Sequence, residues 1–195
     1  MSWLDAFAAL AFFFLCPIPL YWLALHPLAH FWRRVGLRAA FTTAIIFALA
    51  GTGTVFYLLA DRMFHSAASP LWAKVAGLAL MGGELAMVRQ VVRNLGPERL
   101  IGKVEMGGSG QLMTSGIYAH IRHPSYAGMM GAMLGICLLA GTLTLWAAAA
   151  VWLLLMRVMV AFEERELIAR FGEAYRNYRA RVPAFLPFRL WPREE

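Results

Sequence analysis

The chain has 195 residues, 61% of them hydrophobic and 15% charged, with a mean hydropathy of +0.60. Globular domains carry about 25% charged and about 45–50% apolar residues, so an ordinary soluble fold is excluded and the apolar surplus must face lipid. The formal charge of +7, from 18 Lys+Arg against 11 Asp+Glu, sits between the apolar blocks, which reads as membrane topology with some attraction to anionic lipid and not as nucleic-acid binding.

The N-terminal residues lack the basic segment of a cleaved signal peptide and run straight into an apolar block, residues 3–25, expected as a retained first span. A hydrocarbon core of about 30 Å takes about 20 helical residues, and residues 39–60 and 70–88 supply a second and a third block of that kind. Cys16 and Cys137 lie inside apolar blocks without disulfide or metal-ligand spacing, so both read as buried small hydrophobes. His26 and His30 are spaced i, i+4, but Pro27 stands between them and no third ligand is near, so they and His65 are expected to be interfacial histidines with no metal centre. Glu84, toward the cytoplasmic end of the third block, is an ionisable group at membrane depth, expected to be functional or paired with Arg89 or Arg93.

A different composition follows. Residues 94–126 hold Gly96, Gly102, Gly107, Gly108, Gly110 and Gly116, which predicts a loop whose backbone can come close to a ligand. Pro124 is favoured in the first turn of a helix, so His123 is expected at the entry of a fourth span, with the N–H groups of Ser125, Tyr126 and Ala127 forming an anion site facing the loop. His120 lies between Tyr118 and His123 and borders the same region. Residues 126–162 are apolar apart from Arg157, and as one helix they would measure about 55 Å, nearly two bilayers. They must fold back, and Ala140-Gly141-Thr142 is the only plausible turn. The resulting hairpin of spans four and five is expected to close through Gly128, Gly131 and Gly135 on one arm and the alanines at 147–150 on the other.

Five spans place the termini on opposite sides. All lysines and arginines except Arg62 and Lys74 follow or end spans one, three and five, which predicts the N-terminus outside and the tail in the cytoplasm. After span five come Glu163 and Glu164, about 1.5 to 2 turns past Arg157. Taken alone, the two glutamates read as solvated and Arg157 as snorkelling. Leu167, Ile168, Phe171, Tyr175 and Tyr178 recur at helical spacing, predicting one amphipathic helix mildly interrupted by Gly172. Pro183 and Pro187 end the regular structure, with Phe185, Phe188 and Trp191 docking on the membrane face.

Across residues 94–188, Leu112-Met113-Thr114-Ser115-Gly116-Ile117-Tyr118, Arg122-His123-Pro124-Ser125-Tyr126, Phe171-Gly172-Glu173-Ala174-Tyr175, Arg181-Val182-Pro183 and Leu186-Pro187-Phe188 occur in order. In these motifs the chain resembles the isoprenylcysteine carboxyl methyltransferase family of integral membrane enzymes that use S-adenosylmethionine. The apolar blocks predict an all-α integral membrane protein with five transmembrane helices, and the resemblance adds a cofactor site to it. Its cytoplasmic cofactor pocket would be built from the glycine-rich loop, the hairpin and the C-terminal amphipathic helix. Residues 1–93 would then hold three N-terminal transmembrane helices and residues 94–195 the catalytic part. By the same resemblance Gln111, Leu112 and Met113 line the cofactor through their backbone and Tyr118 touches it with its side chain. His123, Pro124, Ser125 and Tyr126 form the second wall, and Glu163 meets the cofactor's amino group. Glu164, about 100° round the helix, would be a lesser contact, and Lys103 lies near another polar contact of the family.

The family's substrate-facing arginine stands four residues before the matching glutamate, where this chain has Met159. The acceptor is expected to be lipophilic or lipidated, with a prenyl-cysteine or other isoprenoid carboxylate, a thiol and a lipid left open and a neutral or thiol-bearing molecule favoured over the prenyl-cysteine, and Arg157, Arg122 and Glu84 are the catalytic candidates on the acceptor side. The expected setting is an inner or plasma membrane with the active site facing the cytoplasm. Two other classes fit less of the chain: a membrane reductase of the sterol-reductase type, which binds a nicotinamide dinucleotide, and a non-catalytic membrane scaffold or small transporter.

Overall fold

The computed structural model describes residues 2–64, 69–95 and 111–186. The expectations for His65, Lys103, Gly96, Gly102, Gly107, Gly108 and Gly110 lie outside the described residues, as do those for Pro187, Phe188 and Trp191. Among the described residues every regular element is helical: α1 (Trp3–Leu15), α2 (Pro17–Leu25), a 3₁₀ turn (His26–Leu28), α3 (Ala29–Val35), α4 (Leu37–Phe64), α5 (Leu71–Leu95), a second 3₁₀ turn (Gly116–Ala119), α6 (Pro124–Ala140), α7 (Leu143–Phe171) and α8 (Glu173–Arg181).

Four helical runs are long and apolar enough to cross a bilayer: Trp3–Val35, Leu37–Phe64, Leu71–Asn94 and Leu143–Phe171. Large apolar side chains such as Tyr57, Leu71, Leu85 and Leu143 stand exposed along them, as lipid-facing surfaces do. The protein is an integral membrane protein. The remaining span expected from the sequence, α6, is apolar but only 17 residues long, about 25 Å at 1.5 Å per residue and short of a hydrocarbon core of about 30 Å.

The first run is longer than the sequence suggested and is broken twice by proline. Ser2 and Asp5 start it with a reciprocal capping box: Ser2 Oγ accepts from the Asp5 N–H at 3.2 Å, and the Ser2 N–H donates to Asp5 Oδ2 at 2.7 Å. Pro17 opens α2, and Pro19 has no N–H to give the carbonyl of Leu15. Trp152 Nε1 of α7 donates to that carbonyl instead, at 3.0 Å, so the break also becomes a tie to a distant helix. A second break at Pro27 gives the 3₁₀ turn, where Trp32 Nε1 donates to the Ala24 carbonyl at 2.8 Å. Residues 26–35, which lie beyond the expected first span, thus continue the helical run.

The hairpin turn falls where length arithmetic put it. Gly141 caps α6 at φ 69°, a left-handed conformation that glycine takes without strain, and Thr142 Oγ1 caps α7 by accepting from the Leu145 N–H at 3.3 Å. The same hydroxyl donates to the Met63 carbonyl at 2.6 Å, docking the turn on the end of α4. The glycines of α6, however, do not close the hairpin. They face α5, which packs against α6 more extensively than any other pair does among the described residues. A Cβ at Gly135 would lie 2.6 Å from the Gly77 carbonyl oxygen, one at Gly77 would lie 2.7 Å from that of Gly135, and Gly128 is covered by the Glu84 carboxylate, while Gly131 meets nothing. Small residues permit backbone contact with any neighbour, and here the neighbour is span three.

The C-terminal helix also differs from expectation. α7 runs without interruption past Glu163 and Glu164 to Phe171, and Gly172, at φ 56°, breaks it completely before α8. Backbone pairing then folds the tail onto the start of α6: the Arg122 N–H donates to the Pro183 carbonyl and the His123 N–H to the Ala184 carbonyl, each at 2.9 Å.

Candidate active site

These returns enclose a cleft at the ends of α2, α5, α6 and α7, covered by residues 111–126 and by α8. Its volume is about 150 Å3. Gly116 fixes one corner: at φ 61° it adopts a backbone that other residues rarely do, and a Cβ there would lie 2.8 Å from Asn94 Oδ1. On the far side Tyr178 donates its hydroxyl to the Tyr118 carbonyl at 2.6 Å. Burial pushes the Tyr178 hydroxyl up to about 12 and outweighs the nearby Arg122 guanidinium, so it remains a donor. The Tyr175 hydroxyl, also buried, is pushed further up by its surroundings and by the Glu164 carboxylate, and it makes no hydrogen bond among the described residues.

Gln111, Leu112 and Met113 line the first wall of the cleft, with Tyr118 beside them. His123, Pro124, Ser125 and Tyr126 line the second. Pro124 occupies the first position of α6 with His123 as its N-cap. The Ala127 N–H, expected to face the ligand, is instead taken by the His123 carbonyl at 3.0 Å, because one turn is enough to satisfy it internally. The Ser125 N–H has no such carbonyl one turn earlier in the helix.

The two glutamates have separate environments. Glu163 lines the cleft, and its Oε2 is buried, makes no hydrogen bond among the described residues and lies 3.8 Å from His123 Nδ1. Glu164 lies behind the wall and does not line the cleft. Its Oε1 accepts from Arg122 Nε at 3.0 Å and Nη2 at 2.5 Å, with His123 Nε2 at 3.3 Å, and its Oε2 is 3.1 Å from Arg179 Nε. His123 therefore stands between the two carboxylates. It is stacked near Tyr126, with ring centroids 5.7 Å apart, and near Phe185 at 6.0 Å, so Phe185 packs inside and not only on the membrane face.

The three groups expected on the acceptor side are not brought together. Arg122 reaches the cleft, but its donors are held by Glu164 and by the carbonyls of Arg179 and Val182. Arg157 is exposed on the outer surface of α7 and does not line the cleft. Glu84 packs against Gly128 between α5 and α6, away from the cleft, and its Oε2 has no hydrogen bond among the described residues, so neither Arg89 nor Arg93 bonds to it there. Met159 is 0% exposed in the core. His120 is exposed and outside the cleft.

What sequence reasoning missed is the wall supplied by the first helical run, where Trp22 and His26 line the cleft, together with Arg170 on α7. The rings of Trp22 and His26 lie 5.0 Å apart and nearly parallel, at 17°, and His26 Nδ1 is 2.8 Å from Glu166 Oε2. An aromatic residue one turn before a histidine, at a proline break ending a span, was the available signal. The histidine's partner is 140 residues away in the sequence, where local pattern cannot find it.

Residues 72–174 match the phospholipid methyltransferase family. The chain is 38% identical over 78 residues to the protein-S-isoprenylcysteine O-methyltransferase of Schizosaccharomyces pombe, covering 39% of this chain and 33% of that one. It is 40% identical over 85 residues to the protein of the same name from Homo sapiens, covering 40% and 28%. It is 37% identical over 73 residues to methanethiol S-methyltransferase 1 of Bradyrhizobium diazoefficiens, covering 37% and 25%. The chain therefore spans a third or less of the length of these curated relatives. No solved structure matches it at a significant level.

Proposed function

The chain belongs to the phospholipid methyltransferase family, and we propose from that premise that it moves a methyl group from S-adenosylmethionine to a lipophilic acceptor at the membrane surface. The observation that carries this reading is Glu163. A buried carboxylate oxygen without a hydrogen bond, in the wall of an open cleft, is costly unless a cationic donor meets it. An ammonium group of a bound amino acid moiety is such a donor. The residues fit the rest of S-adenosylmethionine too: the start of α6 and His123 suit the carboxylate carried on the same carbon as that ammonium, and the apolar walls at Met129, Leu167 and Phe171 suit the less polar remainder. Gln111, Leu112, Met113 and Tyr118 close the opposite side.

S-adenosylmethionine supplies the chemistry, an electrophilic methyl on a sulfonium. The protein's part is placement. Holding nucleophile, methyl and leaving sulfur in line lowers the barrier by about 7–11 kcal/mol, and walls that exclude water keep an attacking group unhydrated. Glu164 acts one step removed, keeping Arg122, His123 and Arg179 in register so that α8 and the tail cover the cleft. Because α6 is short, the cleft at its start lies close to the hydrocarbon, where a lipophilic acceptor can enter sideways while a water-soluble cofactor enters from the mouth.

We further propose five crossings with the N-terminus outside and the cleft cytoplasmic. Contacts from Glu166 to His26 and Arg33 put the end of the first run beside the exit of α7, while Thr142 and Met63 join the opposite ends of α7 and α4. The acceptor proposed is neutral or thiol-bearing, since Met159 is buried, Arg157 is off the cleft and Arg122 is committed to other partners. Equilibrium binding of S-adenosylmethionine to the detergent-purified protein, followed by tritiated-methyl transfer to a panel of lipophilic thiols, amines and isoprenoid acids, tests the reading. Micromolar binding and labelling of a lipophilic acceptor are expected. Absence of binding overturns it.

A further inference from the structure

His26 is held as a proton acceptor is held. Its side chain is 3% exposed, its ring lies against Trp22, and Nδ1 faces Glu166 Oε2 at 2.8 Å. A carboxylate only accepts, so a neutral ring facing it carries its proton on Nδ1 and leaves the lone pair on Nε2. Glu166 Oε1 also takes a hydrogen bond from Arg33 Nη2 at 2.5 Å, which compensates its charge without a second positive group on the ring. Nε2 is buried and has no hydrogen-bond partner among the described residues, and His26 lines the same cleft as Glu163. Trp22, His26 and Arg33 all lie outside the family match at residues 72–174, so this wall belongs to this chain's own N-terminal run.

Resting on the methyltransferase reading above, we propose that His26, oriented by Glu166, is the general base of the site and that the acceptor is a lipophilic thiol. As the thiol's S–H bond breaks, its proton passes to Nε2. The sulfur's electron pair forms the new S–CH3 bond, and the electron pair of the old bond to the methyl stays on the donor's sulfur. The positive charge of the sulfonium is thereby replaced by that of an imidazolium facing Glu166, and the proton then leaves through the cleft mouth. Arg33 and Arg170 are the other charged groups around this carboxylate. A thiol matches the base better than the alternatives do. A carboxylate arrives already ionised and calls for a cation, not a base. An ammonium has no lone pair until it has lost its proton, whereas the sulfur of a thiol keeps its lone pairs and can give up its proton as the new bond forms.

The test uses full-length protein in detergent with decanethiol, with 4-nitrothiophenol, which is ionised at neutral pH, and with dodecylamine. His26→Gln is expected to lower kcat on decanethiol by about 10²–10⁴-fold and on 4-nitrothiophenol less than threefold, with cofactor affinity unchanged. Glu166→Gln should show the same thiol selectivity at smaller amplitude, and imidazole should restore decanethiol turnover in His26→Gly. Independently of activity, ¹⁵N-histidine NMR of the cofactor-free protein should show His26 protonated at Nδ1 and its Nε2 resonance shifting on addition of decanethiol. Equal losses on both thiols, or a preference for dodecylamine, would show that His26 only supports the fold or that the acceptor class is wrong. If wild-type protein binds no S-adenosylmethionine, the methyltransferase reading fails instead. If His26→Gln does not fold, the tautomer decides: a ring protonated at Nε2 overturns the proposal.

Discussion

One peptide step from Glu163 to Glu164 turns the side chain by about 100° around α7, and that rotation takes one carboxylate into the wall of the cleft and the other behind it. The consequences of substitution should separate accordingly. Glu163→Gln should weaken S-adenosylmethionine binding by about 1–3 kcal/mol, the scale of an unpaired charge-assisted contact, with little change in thermal unfolding. Glu164→Gln removes the anion shared by Arg122, His123 and Arg179. Breaking so buried a group costs about 3–5 kcal/mol, so its main effect should be a lower unfolding midpoint. Calorimetric titration and thermal unfolding of both variants check this; equal losses of affinity with equal stability would sink the distinction. Arg157→Ala, on the exposed face of α7, should leave cofactor affinity and turnover within twofold in the tritiated-methyl assay. That the two glutamates face different ways follows from the angular step of a helix, but which of them faces the cleft was implied only by the family resemblance, since taken alone both read as solvated. The roles of Arg122 and His26 were not legible, because each is decided by partners 42 and 140 residues away.

Elements show the same division between what local pattern dictates and what packing decides. A stretch too long for one bilayer has to turn, so Gly141 and Thr142 could be placed from length and turn chemistry alone. Glycines at 128, 131 and 135 announce a close approach without naming the neighbour, and the neighbour proved to be α5. Gly172 was read as a mild interruption because propensity treats glycine as a weak helix residue; its φ of 56° instead allows the sharp reversal that sets α8 over the cleft. The helix pair supplies a direct check. Gly135→Ala places a methyl 2.6 Å from a backbone oxygen that cannot swing aside, so α5 and α6 must separate, at a cost of about 1–3 kcal/mol. Gly131→Ala meets open space and should be within about 0.5 kcal/mol of wild type. Unfolding midpoints of the two variants in the same detergent decide it, and equal midpoints would remove the glycine contact from the account of this fold.

At the scale of the whole molecule, two sets of contacts that the charge pattern knows nothing about sort the helix ends into the same two groups. Arg33, His26 and Glu166 meet at one end, where Arg93, Arg122 and the basic residues of α8 also lie. Met63 and Thr142 meet at the other, near Asp61 and Arg62. With Arg62 and Lys74 the only cations the sequence assigns to that second end, the positive-inside rule is the ground for proposing that it faces away from the cytoplasm. The short α6 is then the element on which the crossing count depends, because at about 25 Å it must either thin the bilayer locally or draw the start of the cleft below the headgroups. Single cysteines in a background carrying Cys16→Ala and Cys137→Ala test this arrangement. Ser2→Cys, Asp61→Cys and Leu143→Cys should react with an impermeant maleimide added outside intact cells. Arg93→Cys and Arg181→Cys should react only after the membrane is opened. Labelling of Leu143→Cys and Arg181→Cys from the same side would mean that α7 does not cross. The cleft would then have to take its cofactor from the side opposite to the one argued here or lie on the surface of the bilayer.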